Sequence, residues 1–419
     1  MDSKLKKNAI LFCIMAILCI ASIVMIANWR TLFGKDSQTV IAEGNVEEQN
    51  NQNAGGQIGD NLQGFLEDAT FFDKEEDDYG WNSLYDSNKL SMIVTSIEKD
   101  LRIQIVDLFG ELVTGESFYV TVEDVGEYKD LDKDGVIYIA DLKAGEYKVS
   151  LKETEGYLVP SNSTKIRVKD RVEYVAIDDI SLLIKTEDEI DVKLEDTREN
   201  SARGDSDSTE IQKQHTTDVT QRFGIDVSKW QGDIDWDKVK ADGVEFVMIR
   251  AGYRGSKTGA LVEDPNFLAN IRGAKRAGLK VGVYFFTQAV NEVEAVEEAS
   301  MVLALCDGYD LEYPVIIDSE GAGGEGRADA LDVDIRTKVC AAFCETIENA
   351  GYESGVYASR SWYNANLDVK ELDKYRIWLA EYRSTPLYGG YYDMWQYTSK
   401  GQIDGIEGNV DLNISYMGK

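Results

Sequence analysis

Short apolar runs alternate with helix-like stretches from residue 223 to residue 419, and this alternation limits the possible folds more than any other feature of the chain. The strand-like runs are FGIDVS, EFVMIRAGY, KVGVYFFTQ, YPVIIDSE, SGVYAS, RIWLAEY, YDMWQYTS and NVDLNIS. The predicted helices are NFLANIRGAKRAGL, EVEAVEEASMVLALC and DIRTKVCAAFCETIENAG, with a Gly just past the first and the last as a stop signal. Strands joined by crossover helices indicate an α/β fold that closes into a compact barrel. The last connections are too short for regular helices, which predicts antiparallel final strands and an irregular TIM-like barrel over residues 222–419.

The part of the chain before this barrel changes to a period of two. Seven runs rich in β-branched and aromatic residues follow one another between turn residues: MIVTSI, LRIQIVDL, SFYVTVEDV, VIYIADL, EYKVSLKE, STKIRVK and VEYVAIDDI. They predict a small β-sandwich at residues 88–185. The segment DLKAGEYKVSLKETEGY resembles the prealbumin-like B-type repeats of Gram-positive surface proteins, which implies a stalk. Glu153 stands where some of these repeats have the Glu that assists a Lys-to-Asn crosslink, but the last run has no Asn, so we expect no crosslink.

An acidic loop inside this sandwich has two interpretations. Asp130, Asp132 and Asp134 are followed by Gly135, and Asp141 lies further along, which is the carboxylate spacing of a calcium loop. Asp and Gly also supply the geometry of tight turns between strands. Because the run VIYIADL follows with a period of two and not as a helix, we expect the turn.

The N-terminal part predicts a membrane anchor followed by a tether. Residues 9–28 are apolar and uncharged over a length that spans a bilayer, and three lysines precede them. By the positive-inside rule, residues 1–8 form a cytoplasmic tail and everything after the helix lies outside the cell. The alternative, a cleaved signal peptide, has a shorter apolar region and a small-residue cleavage site, which fits less well. Residues 29–87 and 186–221 are charged and poor in large apolar groups, so both predict disordered linkers.

Composition excludes several functions. The chain has 76 Asp and Glu against 44 Lys and Arg, a formal net charge of -32, which argues against nucleic acid as a partner. Its one histidine, His215, lies in a polar run, so catalytic triads and His-rich metal sites are excluded, and we expect no metal and no cofactor. Three cysteines on helix-like segments are expected to be small buried hydrophobes: Cys306, Cys340 and Cys344.

The strongest chemical signal is a pair of acids at the end of a predicted strand. In YPVIIDSE, Asp318 and Glu320 are two residues apart, so a period of two places them on one face with backbone positions about 6.5 to 7 Å apart. Two acids this close do not ionise together easily, which favours a protonated Glu320 beside an ionised Asp318. A pair of carboxyl groups of this kind is typical of the active site of a glycoside hydrolase. The alternative is that Asp-x-Glu caps the N-terminus of a helix and interacts with its dipole.

Further acids and aromatic side chains occupy the ends of other predicted strands. Because the carboxyl ends of barrel strands form one mouth, we expect these residues to converge there. Two are acids, Asp226 and Asp411, and six are candidates for contact with substrate: Tyr253, Phe286, Tyr357, Trp378, Trp395 and Gln396.

These motifs closely resemble glycoside hydrolase family 25, the N-acetylmuramidases of bacterial and phage lysozymes. The match runs in order over about residues 222–416, through GIDVSKWQGDIDW, FVMIRAGY, VYFF, DSE, GVYAS, IWLA, WQY and GNVDLN. The resemblance implies an irregular barrel of eight strands and five helices that hydrolyses the β-1,4 bond between N-acetylmuramic acid and N-acetylglucosamine. By motif, Glu320 takes the acid/base role with Asp318 as its companion, and Asp226 and Asp411 flank the cleft. The attacking group, Asp318 or the acetamido oxygen of the substrate, stays open.

We therefore expect a monomeric, membrane-anchored muramidase on the outside of a Gram-positive type of bacterium, with peptidoglycan glycan strands as its partner. The barrel has 32 acidic and 21 basic residues from Arg222 on, so its charge of -11 repels an anionic wall polymer. Salt screens such repulsion beyond about 8 to 10 Å, and a membrane tether supplies local concentration. The alternatives are a non-catalytic glycan-binding surface adhesin, which has no need for four acids, and a chitinase-like barrel, which usually has a longer acidic signature.

Overall fold

The computed structural model of the chain describes residues 88–178, 180–190 and 221–417. The predicted tail, transmembrane helix and first linker lie outside the described residues, as does most of the second linker. Within the three described ranges, every helix is too short or too polar to cross a bilayer.

Residues 90–168 form two antiparallel sheets around one apolar core. One sheet has the order β1-β2-β5 and the other the order β4-β3-β6-β7. The strands are β1 (Ser91–Thr95), β2 (Leu101–Val106), β3 (Tyr119–Val122), β4 (Gly126–Lys129), β5 (Val136–Ile139), β6 (Gly145–Leu151) and β7 (Thr164–Val168). The period of two is visible in β5, where Ile137 and Ile139 are buried while Tyr138 between them is 63% exposed. Two sheets are what the alternating runs predict, and six of the seven runs form strands. The described residues of VEYVAIDDI form no strand, and β4 had no predicted counterpart.

The acidic loop of this sandwich is a turn stabilised by its own carboxylates. The Asp130 carboxylate, 1% exposed, accepts hydrogen bonds from the backbone N–H of Lys133 at 2.8 Å and of Gly135 at 3.1 Å. Asp134 accepts from Val136 N at 2.8 Å. The carboxylates of Asp130, Asp132 and Asp134 do lie close enough together to share a cation. Since the buried one is already committed to the turn, backbone capping accounts for it.

The second domain is a closed barrel of eight strands. They are β9 (Arg222–Val227), β10 (Phe246–Arg254), β12 (Lys280–Phe286), β13 (Val315–Asp318), β14 (Ser354–Ser359), β15 (Arg376–Ala380), β16 (Met394–Gly401) and β17 (Val410–Ser415). Pairing of β10 with β12 closes the barrel. Neighbours from β9 to β16 are parallel, but β17 is antiparallel to both β16 and β9. The irregular α/β barrel predicted from the short last connections is thus confirmed, with the reversal confined to the final strand.

Helices cover the outside of this barrel. They are α1 (Trp236–Ala241), α2 (Phe267–Arg276), α3 (Glu292–Cys306), α4 (Val333–Asn349), α5 (Arg360–Asn366) and α6 (Val369–Leu372). The three helices predicted from sequence are α2, α3 and α4. Gly278 and Gly351 follow the ends of α2 and α4 with φ of 73° and 93°, a conformation that stops a helix and that glycine adopts without strain.

The strands alternate between two apolar cores. Val247 and Ile249 face outward to the helices, whereas Phe246 and Met248 belong to a second cluster inside the barrel. The outer core also contains the three cysteines on α3 and α4, and burial raises the pKa of the Cys306 thiol to about 12. Small buried hydrophobes are what the sequence predicts for these positions.

The chain between the two domains packs directly on the barrel. Ile177 N donates to Ser300 Oγ on α3 at 2.9 Å, and Asn349 Nδ2 on α4 donates to the carbonyl of Tyr174 at 2.7 Å. Further along, β8 (Ile184–Lys185) pairs in parallel with β11 (Leu261–Glu263), a short strand that is antiparallel to the end of β10. The segment that connects the sandwich to the barrel is therefore held on the barrel by hydrogen bonds and by strand pairing.

The start of the predicted second linker differs from the expectation. Residues 186–190 continue from β8 along the barrel, with a capping box between Thr186 and Glu189 and an ion pair between Glu187 and Lys229 on the barrel. The composition of this stretch is polar, which is why the sequence indicates a linker. Its charges have specific partners, which composition does not reveal.

Candidate active site

Asp318 is the last residue of β13 and points to the inside of the barrel mouth. Two residues before it, Ile316 belongs to the inner core, while Ile317 faces the helices. Asp318 lies in register with Phe286 on β12 and Tyr357 on β14. Glu320 follows two residues later without an intervening helix, and the two acids are 3% and 7% exposed. The predicted pair thus lies at the carboxyl end of a central strand, in a largely buried setting.

Asp226 and Asp411 lie on two adjacent strands, β9 and β17, on the side of the barrel opposite β13. They are opposite each other in the antiparallel ladder of β9 and β17. Asp226 is 3% exposed, and its Oδ2 accepts from Gln396 Nε2 at 2.9 Å and from Asn413 Nδ2 at 2.7 Å. Asp411 is half-buried at the rim. Two side-chain amides therefore hold one carboxylate oxygen of Asp226 in a fixed position.

Aromatic side chains extend this network across the barrel. Gln396 Oε1 accepts from the hydroxyls of Tyr357 at 2.9 Å and Tyr382 at 3.0 Å, which orients its amide group toward Asp226. Trp378 Nε1 donates to Asn413 Oδ1 at 2.8 Å, and its ring contacts that of Tyr357 edge-on at 4.7 Å between centroids. Each polar group here has a partner from another strand, so the side chains are held rigidly.

The acids act together on Tyr357. Burial raises the pKa of the Tyr357 phenol well above its usual value, and the negative charges around it, those of Glu320, Asp318 and Asp226 among them, raise it further. Tyr357 is therefore a neutral hydrogen-bond donor over the physiological range. Asp318 and Glu320 at the end of β13 and Asp226 on β9 therefore all lie near the Tyr357 phenol on β14.

Four residues of this network were sequence predictions, and the structure brings them together: Asp226, Tyr357, Trp378 and Gln396. Asn413 and Tyr382 were missed. A period of two on β17 puts Asn413 on the face of Asp411, so the pattern of the last strand contained a usable signal for it. No comparable signal marks Tyr382, because it follows the end of β15 in irregular structure.

Tyr253 and Phe286 lie on the same rim but are covered. Both are almost completely buried in a small cluster with Val262, against which Ile190 of the interdomain segment packs. Tyr253 Oη donates to Glu187 Oε1 at 3.0 Å. These two predicted substrate residues are therefore in contact with the chain that comes from the sandwich domain.

Trp395 is the predicted site residue that the structure separates from the others. It lies between Met394 and Gln396, which face inward, so its own side chain faces the helices and belongs to the outer core. Its Nε1 donates to the carbonyl of Glu381 at 2.9 Å. Alternation along β16 accounts for this placement, and we leave Trp395 out of the site.

An exposed tryptophan next to Asp226 was not among the predicted site residues. Trp230 belongs to a 3₁₀ turn (Lys229–Gln231) that follows β9, and it is 55% exposed. Lys229 Nζ lies 4.8 Å from the centroid of its ring. An exposed aromatic face is suited to stacking on a sugar ring. The signal was present in the sequence, since Trp230 stands four residues after Asp226.

Comparison with known proteins agrees with this architecture. Residues 225–406 match the family model described as "Glycosyl hydrolases family 25". The barrel domain of this chain is therefore similar to glycoside hydrolase family 25, as its motifs predict.

Among similar proteins, the autolytic lysozyme of Clostridium acetobutylicum is 32% identical over 193 residues, which are 45% of this chain and 54% of that relative. Lysozyme M1 of Streptomyces globisporus is 26% identical over 200 residues, 45% of this chain and 66% of that protein. A structure of the modular autolysin LytC from Streptococcus pneumoniae with a synthetic peptidoglycan ligand aligns with a TM-score of 0.42 and 27% identity, covering 65% of this chain and 57% of that one. The chain thus spans about half the length of the first of these relatives.

Proposed function

We propose that this protein is an N-acetylmuramidase that cleaves the β-1,4 bond between N-acetylmuramic acid and N-acetylglucosamine in peptidoglycan. The observation that carries the proposal is the meeting of Asp318, Glu320 and Asp226 around Tyr357 at the mouth of the barrel. Relatives that match the same domain are named lysozymes. A binding module needs no such group of largely buried acids, because burying carboxylates costs free energy and groups of this kind concentrate at catalytic sites.

In the proposed mechanism, Glu320 donates a proton to the glycosidic oxygen and later removes one from the water that completes hydrolysis. Asp318 stays ionised and stabilises the positive charge that develops on the sugar ring. Either Asp318 or the acetamido oxygen of the substrate can serve as the attacking group. Asp226, fixed by two amide groups, is an acceptor that orients substrate hydroxyl or amide groups.

Substrate binding is proposed to use the aromatic side chains around these acids. Tyr357 and Trp378 form the floor of the cavity, and the exposed ring of Trp230 offers a stacking surface at its edge. Since the barrel is acidic, attraction by charge contributes little to the affinity for an anionic polymer. Binding then relies on stacking and hydrogen bonds, together with a high local concentration of the wall.

We further propose that residues 9–28 anchor the protein in the cell membrane with the barrel outside. The support is the length of the apolar run and the lysines before it. A protease added to intact cells should then remove the barrel and spare an epitope tag at residue 1. Protection of the barrel from that protease would refute this orientation.

The test of the activity is a digestion of purified peptidoglycan with the full chain in detergent, followed by mass analysis of the fragments. New reducing ends on N-acetylmuramic acid are expected, and ends on N-acetylglucosamine would overturn the proposal. The Glu320→Gln variant should bind peptidoglycan but release no ends. The matched control is Glu325→Gln in the same loop, whose side chain is 85% exposed and which should cleave normally. If wild type and Glu320→Gln both bind without cleaving, the protein is a glycan-binding adhesin.

A further inference from the structure

Helix α3 carries three acidic side chains that bind arginines from three other parts of the protein. Glu294 pairs with Arg327 in the loop after Glu320, with oxygen–nitrogen distances of 2.6 and 2.9 Å. Glu298 pairs with Arg254 at the end of β10 at 2.8 Å. Glu297 binds Arg254 at 3.0 Å and also Arg102 on β2 of the sandwich at 3.0 Å. We call these residues the α3 ion network: Glu294, Glu297, Glu298, Arg102, Arg254 and Arg327.

This network reaches the backbone of the catalytic strand. Glu298 Oε2 accepts from the hydroxyl of Thr287, the first residue after β12, at 2.7 Å. The backbone N–H of Thr287 in turn donates to the carbonyl of Asp318 at 3.0 Å. An unbroken series of hydrogen bonds therefore runs from Arg102 in the sandwich to Asp318 at the active site.

The loop that follows Glu320 is held by the same helix. Arg327 donates to Glu294 and also to the carbonyl of Gln288 at 3.0 Å. The side chain of Gln288 accepts from Ala328 N at 3.3 Å. The α3 ion network thus holds the chain at two places, at the carbonyl of Asp318 through Thr287 and after Glu320 through Arg327.

When all three carboxylates are ionised, the charges of the network balance only if Arg102 of the sandwich is included. The barrel contributes three carboxylates and two guanidinium groups, and Arg102 supplies the third positive charge. Glu297 and Glu298 have side chains 5% and 0% exposed, so an unmatched charge here is costly. Burial already raises the pKa of Glu298 to about 7 against the opposing effect of Arg254.

We propose that Arg102 is a positioning residue for the active site, so that the sandwich is a structural part of the catalytic unit and not only a stalk. This inference rests on the proposed function. Arg102 neutralises Glu297, which leaves Arg254 free to hold Glu298 and, through Thr287, the end of the strand that bears Asp318. The connecting segment keeps its own contacts with the barrel, at Ile177 and at β8, when Arg102 is replaced.

The test compares Arg102→Gln with Arg171→Gln in the full chain. Arg171 has a side chain 79% exposed and pairs only loosely with Glu173 at 3.5 Å, so its replacement removes the same charge from the same domain without touching the network. Arg102→Gln should lower kcat on peptidoglycan by about tenfold with KM unchanged, because small displacements of reacting groups cost up to about 100-fold. Arg171→Gln should match the wild type.

Two further variants separate positioning from folding. Arg102→Lys keeps the charge and should recover most of the activity. The double variant Arg102→Gln/Glu297→Gln restores the balance of charges and should have a higher kcat than Arg102→Gln alone. Equal kcat for Arg102→Gln and Arg171→Gln, or a double variant no better than the single one, would overturn the inference. A wild-type chain that releases no muramic acid ends would instead refute the proposed function.

Discussion

Closely spaced carboxylates occur both in the turn of the sandwich and at the mouth of the barrel, and the two groups differ in their hydrogen-bond partners. In the turn, Asp130 accepts from the backbone N–H of Lys133 and Gly135, three and five residues away. At the mouth, Asp226 accepts from the side-chain amides of Gln396 and Asn413, 170 and 187 residues away.

In these two groups, the distance along the chain separates the acid that shapes a turn from the acid proposed to act in the active site. A carboxylate that caps its own turn shapes the backbone nearby and needs nothing else from the fold. A carboxylate held by donors from distant strands requires the whole barrel to be assembled, and its geometry is then fixed tightly enough to meet a transition state. Substitutions at the acids of the barrel mouth should therefore lower kcat, whereas a substitution at Asp130 in the turn should lower the free energy of unfolding.

After the complete loss expected for Glu320→Gln, the largest effect is expected for Asp318→Asn. Loss of the negative charge beside the developing positive charge should reduce kcat about 100-fold or more. The melting temperature should stay the same or rise, because a charge held among other acids is a cost to the fold. Steady-state kinetics on peptidoglycan and a thermal melt check this. A loss below tenfold would mean that Asp318 is not part of the chemistry.

Asn413→Ala tests whether the amide groups that hold the Asp226 carboxylate are needed for activity. Asp226 loses one of its two amide donors and Trp378 loses its acceptor, at roughly 1–3 kcal/mol for each buried group left unpaired. Both the melting temperature and kcat should fall, with kcat down about tenfold or more. The control is Asn409→Ala in the exposed loop before β17, where Asn409 accepts only from Gln402. If the two variants behave alike, Asn413 has no special role.

Asp130→Ala should show the reverse pattern. Two backbone N–H groups lose their acceptor, which should cost roughly 1–3 kcal/mol of unfolding free energy in denaturant titrations. Peptidoglycan cleavage by the folded protein should be unchanged. Asp132→Ala, at an exposed position of the same turn, should leave both quantities near wild type. Reduced cleavage by folded Asp130→Ala would show that this acid does more than stabilise its own turn.

The smallest expected effect concerns pH. Because burial raises the pKa of Glu298 from 4.5 to about 7, its uncharged form is favoured in the folded protein. The stability that this group contributes is present in full below about pH 4.5 and is lost as the pH rises through about 7. Glu298→Gln should flatten the decline of the melting temperature over this interval. An unchanged pH profile in that variant would show that other groups cause the decline.

Much of the fold could be predicted from local patterns. Runs with a period of two gave the sandwich strands, and runs separated by helical stretches gave the barrel and its outer helices. The reversal of β17 follows from a connection too short for a helix. Strands, helices and short connections depend on residues that are close together in the chain, so they can be predicted from a single sequence.

The site was only partly predictable. Asp318 and Glu320 stand out because both lie at the end of one strand, and Asp226 because it ends another. Trp395 was predicted to face the site but packs against the helices. A strand that is apolar on both faces does not show in its sequence which face lies inside the barrel. The role of Arg102 had no signal at all, because its partner Glu297 is 195 residues away.

The sequence by itself determined which elements form and which acids stand at the ends of strands, since these depend on residues close together in the chain. Only the tertiary structure decided which side chains share the cavity, which tryptophan faces the helices, and that an arginine of the sandwich completes the charges of a barrel helix. Ion pairs and hydrogen bonds act over a few ångströms, so residues far apart in sequence acquire partners only once the fold has brought them together.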